Sequence, residues 1–141
     1  MVAVDTSSFV EYLKGTVGRD IDLVERSLDE RNLILPPIVL TELLSDPKLS
    51  SEIKLELQNI PSLPLMDGYW IRAGILRSKV LSQKNKARLG DSLISQYCID
   101  HKIPLITRDQ DFKAFQTLGK LHLLSTLLIL LFENPCKFFF V

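Results

Sequence analysis

The sequence GDSLISQYCIDH at positions 90–101 decides the fold of this chain, together with KIPLITRDQDF at positions 102–112. Apolar residues recur in the first part at helical spacing, with Gly90 just before the predicted first turn and Asp91 inside it. Residues 103–106 are short and apolar, as in a buried parallel strand, and Asp109 and Asp111 follow directly. Ligand groups in an open α/β sheet lie beyond the carboxyl ends of the strands. This stretch therefore predicts a helix, a buried strand and an acidic site at the strand's end.

The same alternation of short apolar strands and amphipathic helices extends along the chain. Residues 1–4 and 33–36 predict two further strands, and residues 121–124 predict a last one. Helices are predicted between Asp5 and Gly15 and at residues 19–31, 37–44, 50–60 and 68–80. Strands that alternate with helices favour an α/β domain with a mainly parallel central sheet flanked by helices. A chain of 141 residues fits one such domain.

The charges are unevenly distributed although the net charge is zero. Residues 1–67 contain twelve acids and six bases, and residues 68–141 contain five acids and eleven bases. Between Gly68 and Gly90 there is no acid at all, and this segment is either an ordinary solvated helix face or a rim that contacts phosphates. The candidate RNA-binding residues in it are Arg72, Lys84, Lys86 and Arg88.

The cysteines and the N-terminus favour a reducing cytoplasm. Two cysteines, Cys98 and Cys136, do not make a disulfide framework. Asp5 stands where a signal peptide would be apolar, and no basic segment precedes it. The two histidines have no zinc-ligand spacing, so we expect neither to bind a metal.

Two acids outside the central stretch each allow a structural and a functional interpretation. Asp5 follows a strand and precedes a helix, so it is either a helix N-cap or a carboxylate placed at the sheet's edge. Glu42 is the single charge in an apolar helix, either reaching solvent at an edge or held for a purpose, since unpaired burial of a charge is costly.

Four short motifs carry these acids: VDTS at 4–7, LTELL at 40–44, GDSLI at 90–94 and LITRDQDF at 105–112. In this order and at these separations they resemble the motifs of PIN-domain nucleases. More narrowly they resemble the VapC-type toxins of bacterial and archaeal toxin–antitoxin pairs. The resemblance covers residues 1–124, the predicted PIN-like domain. By this resemblance Asp5, Glu42, Asp91 and Asp109 are the metal-binding and catalytic acids.

The resemblance also implies accessory residues, a reaction and partners. Asp111 matches an accessory acid, and Thr6 and Thr107 match polar positions beside the site. The implied protein is an endoribonuclease with Mg²⁺ or Mn²⁺ as its cofactor, an RNA substrate, a cognate antitoxin and a homodimeric state. Clustered carboxylates suit such hard cations, which activate water for attack on a phosphodiester.

Other interpretations remain open from the sequence alone. The fold could serve as a non-catalytic RNA-binding or interaction module, although all four acid positions are filled. An aspartate-nucleophile phosphatase would require a second acid two residues after Asp5, where Ser7 stands. Residues 125–141 form an apolar C-terminal extension of unknown role, whose apolar run from 127 to 132 is far shorter than the ~20 residues of a membrane span.

Overall fold

The structure is a computed structural model that describes residues 1–124, where it contains three strands and seven helices. The strands are β1 (Val2–Val4), β2 (Leu33–Ile34) and β3 (Leu105–Ile106). The helices are α1 (Thr6–Leu13), α2 (Arg19–Asp29), α3 (Pro37–Leu44), α4 (Ser51–Asn59), α5 (Tyr69–Ser82), α6 (Leu89–His101) and α7 (Phe112–Gly119). The predicted α/β class is confirmed.

The three strands form a parallel sheet in the order β2-β1-β3. Ala3 of the central strand pairs with Ile34 on one side and Leu105 on the other, and Val4 pairs with Ile106. Because β1 and β3 run in the same direction side by side, the residues that follow them emerge at the same edge. A hydrogen bond from the Asp5 amide to the Ile106 carbonyl, 3.0 Å long, continues the pairing to this edge.

The core lies between the sheet and the helices on its two faces. All three residues of β1 are buried, as expected for a strand covered on both sides. Helix α6 contributes Ile94, Tyr97 and Cys98 to this core, and the ring of Tyr97 is fully buried while its hydroxyl bonds the backbone of Leu63. This packing fixes α6, and therefore its first turn, against the sheet.

Three predicted details of the elements are wrong, and one helix is absent from the prediction. Strands β2 and β3 are two residues long, because their flanking residues leave the ladder. Helix α6 starts at Leu89, so Gly90 lies inside its first turn. The predicted last strand is reduced to an isolated bridge between Leu105 and Leu123. Helix α7 is not among the predicted elements, although its buried pair Phe112 and Phe115 has helical spacing.

Two further expectations concern membranes and the end of the chain. Within residues 1–124, no helix combines the length and the hydropathy that crossing a lipid bilayer requires. The predicted C-terminal extension, residues 125–141, lies outside the described residues.

Candidate metal centre

Asp5 occupies both of the positions that its sequence context allows. It is the N-cap of α1, where its carboxylate accepts hydrogen bonds from the Ser8 amide at 3.2 Å and from the Ser7 hydroxyl at 2.9 and 3.0 Å. It also stands at the carboxyl edge of the sheet, with 4% of its surface exposed. Burial raises the pKa of Asp5 to about 6 in spite of these hydrogen bonds and one from Thr107, and the negative charge of Asp109 adds to the rise.

Three carboxylates meet beside this edge: Asp91, Asp109 and Asp111. One oxygen from each lies within 4.8 Å of the other two, and all three residues are half-buried. Asp91 comes from the first turn of α6, and the other two come from the loop between β3 and α7. Carboxylate oxygens that bind one hard cation lie about 4–5 Å apart at most, so this spacing fits a shared ion.

The loop that carries Asp109 and Asp111 is held by its own side chains. The Thr107 hydroxyl accepts a 3.0 Å hydrogen bond from the Asp109 amide, and Asp109 Oδ1 accepts a 2.9 Å bond from the Asp111 amide. These successive turns direct both carboxylates to the side where α6 begins. Thr107 therefore contacts the site through Asp5 and through the loop backbone.

Asp91 has a raised pKa and, among the described residues, an unpaired carboxylate oxygen. Its pKa is raised to about 6, first by burial and then by the charges of Asp109, Asp5 and Asp111, against an opposing effect of Arg88. Its Oδ2 atom is buried and has no hydrogen-bond partner within residues 1–124. A buried carboxylate oxygen without a partner is costly unless a cation or water satisfies it. The hydroxyl of Thr6 is likewise buried without a partner in this part of the chain.

Glu42 stands apart from the three clustered carboxylates. It is exposed on α3, so its charge is solvated rather than buried. Its Oε1 atom lies 3.7 Å from the position that a Cβ would take at Gly90. The structure thus brings Glu42 beside the first turn of α6 but outside the three-carboxylate cluster, whereas Asp111 lies within it.

Two of the four predicted RNA-binding residues, Lys86 and Arg88, lie near the carboxylates, and Lys84 precedes them in the chain. Lys86 Nζ is 3.6 Å from Asp111 Oδ2, Arg88 is the N-cap residue of α6, and Lys84 lies in the turn before them with φ 59°. The fourth, Arg72, donates to both oxygens of Asp100, at 3.0 and 2.6 Å, near the other end of α6.

That end of α6 lies far from the carboxylates. Asp100 follows Asp91 by nine residues, about 14 Å along a helix axis. The structure therefore does not bring Arg72 together with Lys84, Lys86 and Arg88.

An ion-pair network centred on Arg108 lies next to the site and is not predicted by the sequence. Arg108 contacts Asp20 through Nε at 2.9 Å and through Nη2 at 3.1 Å, and Asp20 also accepts a 2.8 Å hydrogen bond from Ser8. Arg108 Nη1 lies 3.7 Å from Glu11. No sequence pattern links Arg108 to Asp20, since 88 positions separate them.

Solved structures resemble this fold over nearly its whole described length. VapBC2 from Rickettsia felis, bound to a DNA fragment from its promoter, matches with a TM-score of 0.68 at 20% identity, covering 88% of this chain and 98% of that one. VapBC-5 from Mycobacterium tuberculosis, a member of the VapBC family of toxin–antitoxin systems, matches with a TM-score of 0.60 at 17% identity, covering 89% of this chain and 98% of the other.

The sequence comparisons agree with the structural ones. Ribonuclease VapC11 of Mycobacterium tuberculosis is 29% identical over 133 residues, which cover 89% of this chain and 98% of the relative. The PIN domain family model matches residues 2–118, which include every acid of the site. This chain therefore belongs to the PIN domain family.

Proposed function

We propose that this protein is a Mg²⁺- or Mn²⁺-dependent endoribonuclease that acts as the toxin of a toxin–antitoxin pair. The observation that carries the proposal is the convergence of Asp91, Asp109 and Asp111 within 4.8 Å, beside Asp5 at the edge of the sheet. The name of the similar VapC11 supports a ribonuclease. The similar structures, which are VapBC proteins, support the toxin–antitoxin assignment.

The donor set fits a hard divalent cation. Its atoms are all carboxylate oxygens, which Mg²⁺ and Mn²⁺ prefer, and the Asp91 carboxylate includes an oxygen, Oδ2, that is buried without a partner within residues 1–124. We assign direct binding to Asp91, Asp109 and Asp111. Asp5 adds its negative charge to this cluster, and Glu42 lies beside the first turn of α6 outside it.

When such an ion is bound, it supplies an activated water for attack on a phosphodiester and offsets negative charge on the departing oxygen. The chain's part is to hold the carboxylates in place. Ser7, Ser8 and Thr107 orient Asp5 by hydrogen bonds, and Thr107 also fixes the loop that carries Asp109. Lys86, which pairs with Asp111, lies where it can contact a substrate phosphate.

Neither Cys98 nor Ser8 is available as a nucleophile. The thiol of Cys98 is buried and desolvation raises its pKa, so it stays protonated and inert. The hydroxyl of Ser8 is committed to Asp20. A free, buried cysteine also suits the reducing cytoplasm in which we expect the protein to act.

The proposal includes two protein partners. A ribonuclease toxin requires a cognate antitoxin, and the similar VapBC-5 structure is of a toxin–antitoxin family member. We further propose a homodimer. Both are tested by light scattering on the protein alone and after co-expression with the neighbouring reading frame.

The experiment that tests the activity compares two matched changes. Asp109→Asn removes one charge from the cluster, and Asp22→Asn removes one from the exposed first turn of α2. We expect wild type and Asp22→Asn to cleave RNA with Mg²⁺ or Mn²⁺ and to stop with a chelator, and Asp109→Asn to lose cleavage and ion binding measured by calorimetry. Cleavage that persists in chelator, after contaminating ribonuclease is removed, would overturn the proposal.

A further inference from the structure

A groove runs away from the carboxylate cluster between the segment that joins α5 to α6 and the exposed face of α7. Its volume is about 460 Å³, and it begins at Asp111, which the groove shares with the cluster. Binding sites for small molecules have volumes of about 300–1,000 Å³, so the groove is large enough for one nucleotide. An RNA strand bound at the carboxylate cluster could therefore continue into this groove.

The walls of this groove carry side-chain amides. Gln83 and Asn85 come from the segment before α6, and Gln110 comes from the loop between Asp109 and Asp111. All three are exposed, and none of their side chains makes a hydrogen bond within residues 1–124. An amide offers a donor and an acceptor side by side, which is the arrangement that pairs with the edge of a nucleobase.

The remaining lining supplies a floor and a positive charge. Ala114 and Leu118 of α7 are half-buried and present apolar surface to the groove, against which a base can lie flat. Lys86 and Lys113 add cationic groups at its walls, and Lys86 reaches Asp111 at 3.6 Å. Apolar contact with amide and cationic groups around it suits a single unstacked nucleotide better than a duplex.

The wall that carries Gln83 and Asn85 is held in a defined shape. Lys84 adopts φ 59°, and its amide donates to the Leu81 carbonyl at 3.0 Å, which closes a tight turn after α5. Arg77 Nε donates to the Ala87 carbonyl at 2.9 Å and fixes the far end of the segment. The amides are thus presented on a positioned turn, which lowers the entropy cost of binding.

We propose that this groove binds one base of a single-stranded RNA substrate, next to the phosphate at the carboxylate cluster, and that Gln83, Asn85 and Gln110 read its edge. The inference rests on the proposed ribonuclease function and names its sequence-determining subsite. Because the groove starts at Asp111, the base it holds belongs to a nucleotide adjacent to the cleaved bond. Cleavage then depends on the identity of that base.

The test maps cleavage of a randomised single-stranded RNA pool with Mg²⁺, followed by kcat/KM on oligonucleotides that differ only at the position adjacent to the cut. We expect wild type to prefer one base by roughly 5- to 150-fold, the discrimination of one bidentate amide–base pair. Gln83→Ala, Asn85→Ala and Gln110→Ala each reduce this ratio. In the variant with the largest effect, the preference ratio should be close to one. The change should appear in KM, with kcat unchanged.

Gln116→Ala is the matched control, because Gln116 is an exposed amide on α7 that does not line the groove. It should leave the preference and the rate unchanged. Binding of the same oligonucleotides in an Asp109→Asn background, measured by fluorescence anisotropy, provides a readout that does not depend on cleavage.

The outcomes separate the two proposals. Metal-dependent cleavage without base preference at this position, or a preference that survives all three groove changes, overturns the inference and leaves the ribonuclease function standing. A reduction of equal size in Gln116→Ala also overturns it. Absence of any metal-dependent cleavage by wild type overturns the ribonuclease function, and the inference with it.

Discussion

Arg108 binds both carboxylate oxygens of Asp20, at 2.9 and 3.1 Å, and thereby ties the loop between β3 and α7 to the first turn of α2. Arg108 immediately precedes Asp109, and Asp20 also accepts a hydrogen bond from the hydroxyl of Ser8, whose amide donates to the capping carboxylate of Asp5. The pair therefore links the segments that carry Asp5 and Asp109. It lowers the pKa of the Asp20 carboxyl through hydrogen bonding by Arg108.

Arg108→Gln should weaken ion binding more than it weakens the fold. The side chains of the pair are partly exposed, so its loss should reduce the free energy of unfolding only slightly. Release of the loop next to Asp109 should nevertheless lower Mn²⁺ affinity several-fold. Calorimetry with Mn²⁺ and urea unfolding measure the two effects separately.

Arg26→Gln is the matched control for this change. It removes the exposed ion pair of Arg26 in α2 with Glu30, the C-cap residue of that helix, at 2.8 Å, and should leave Mn²⁺ affinity unchanged. The exchanged double variant Asp20→Arg with Arg108→Asp should recover part of the affinity. Equal Mn²⁺ affinity in wild type and Arg108→Gln would show that the pair has no positioning role.

The part of this architecture that could be predicted from sequence is the part that depends on local periodicity. Parallel strands separated by helices place their following residues at one edge, so the meeting of Asp5 with Asp109 follows from the strand assignments. The position of Asp91 follows from its place in the first turn of a buried helix. These inferences need no knowledge of how distant side chains pack.

The features that escaped prediction depend on distant contacts. The pair of Arg108 with Asp20 and the groove beside α7 each join segments far apart in sequence, and no spacing rule reports them. Helix α7 buries only two phenylalanines, and so short an apolar pattern after an acidic loop does not predict a helix. Arg72 is equivalent to its basic neighbours in the sequence, since a run of charges does not show pairing, but in the structure it binds Asp100.

The stability of the metal-free protein should fall as the pH rises from about 4.5 to 7. The pKa values of Asp5 and Asp91 are about 6 in the folded protein and near the ordinary 3.8 when unfolded. Between these values the folded state binds more protons than the unfolded state, so its stability decreases with rising pH. For a group as buried as Asp5 the decrease is on the order of 1–3 kcal/mol.

The measurement is urea unfolding in the presence of a chelator across this pH range. Asp20 and Asp100 have lowered pKa values, and their stabilisation is lost only toward more acidic pH, so a start at about pH 4.5 avoids their contribution. Millimolar Mg²⁺ should flatten the profile, because an ion offsets the repulsion among the carboxylates. A metal-free stability that rises from pH 4.5 to 7 would contradict the assigned burial of the two acids.

Lys84, Lys86 and Arg88 should bind RNA phosphates, and Arg72 should not. Removal of the three charges by substitution with Gln should weaken RNA binding and reduce the slope of log affinity against log salt by up to about 2, at roughly 0.7 per lost contact with single-stranded RNA. Arg72→Gln should lower stability by releasing Asp100 and leave that slope unchanged. Equal slopes for wild type and the triple variant would show that this segment is an ordinary solvated surface that does not contact RNA phosphates.

Removal of residues 126–141 should leave metal-dependent cleavage intact. Every acid of the site precedes Phe112, and the truncated chain keeps the Leu124 amide, which donates to the Leu105 carbonyl at 2.9 Å. Cleavage and thermal unfolding of the truncated protein provide the measurement. Loss of cooperative unfolding on truncation would show that the extension belongs to the core.

Asp91→Asn separates a helix-capping role from a role in the carboxylate cluster. The change keeps the size of the side chain in the first turn of α6 and costs about 0.3–1 kcal/mol at most in lost interaction with the helix dipole. It also removes the repulsion that Asp109, Asp5 and Asp111 exert on the Asp91 carboxylate. At neutral pH with a chelator, the variant should therefore be more stable than wild type.

With millimolar Mg²⁺ or Mn²⁺, wild type should be more stable than Asp91→Asn, because wild type gains stability from the ion and the variant does not. Cleavage should be lost in the same variant. Asp100→Asn, at the other end of α6, is the matched control: it should lower stability by releasing Arg72 and keep both the shift with metal and the cleavage. If Asp91→Asn is instead less stable without metal and retains its metal shift and its activity, Asp91 serves only the helix.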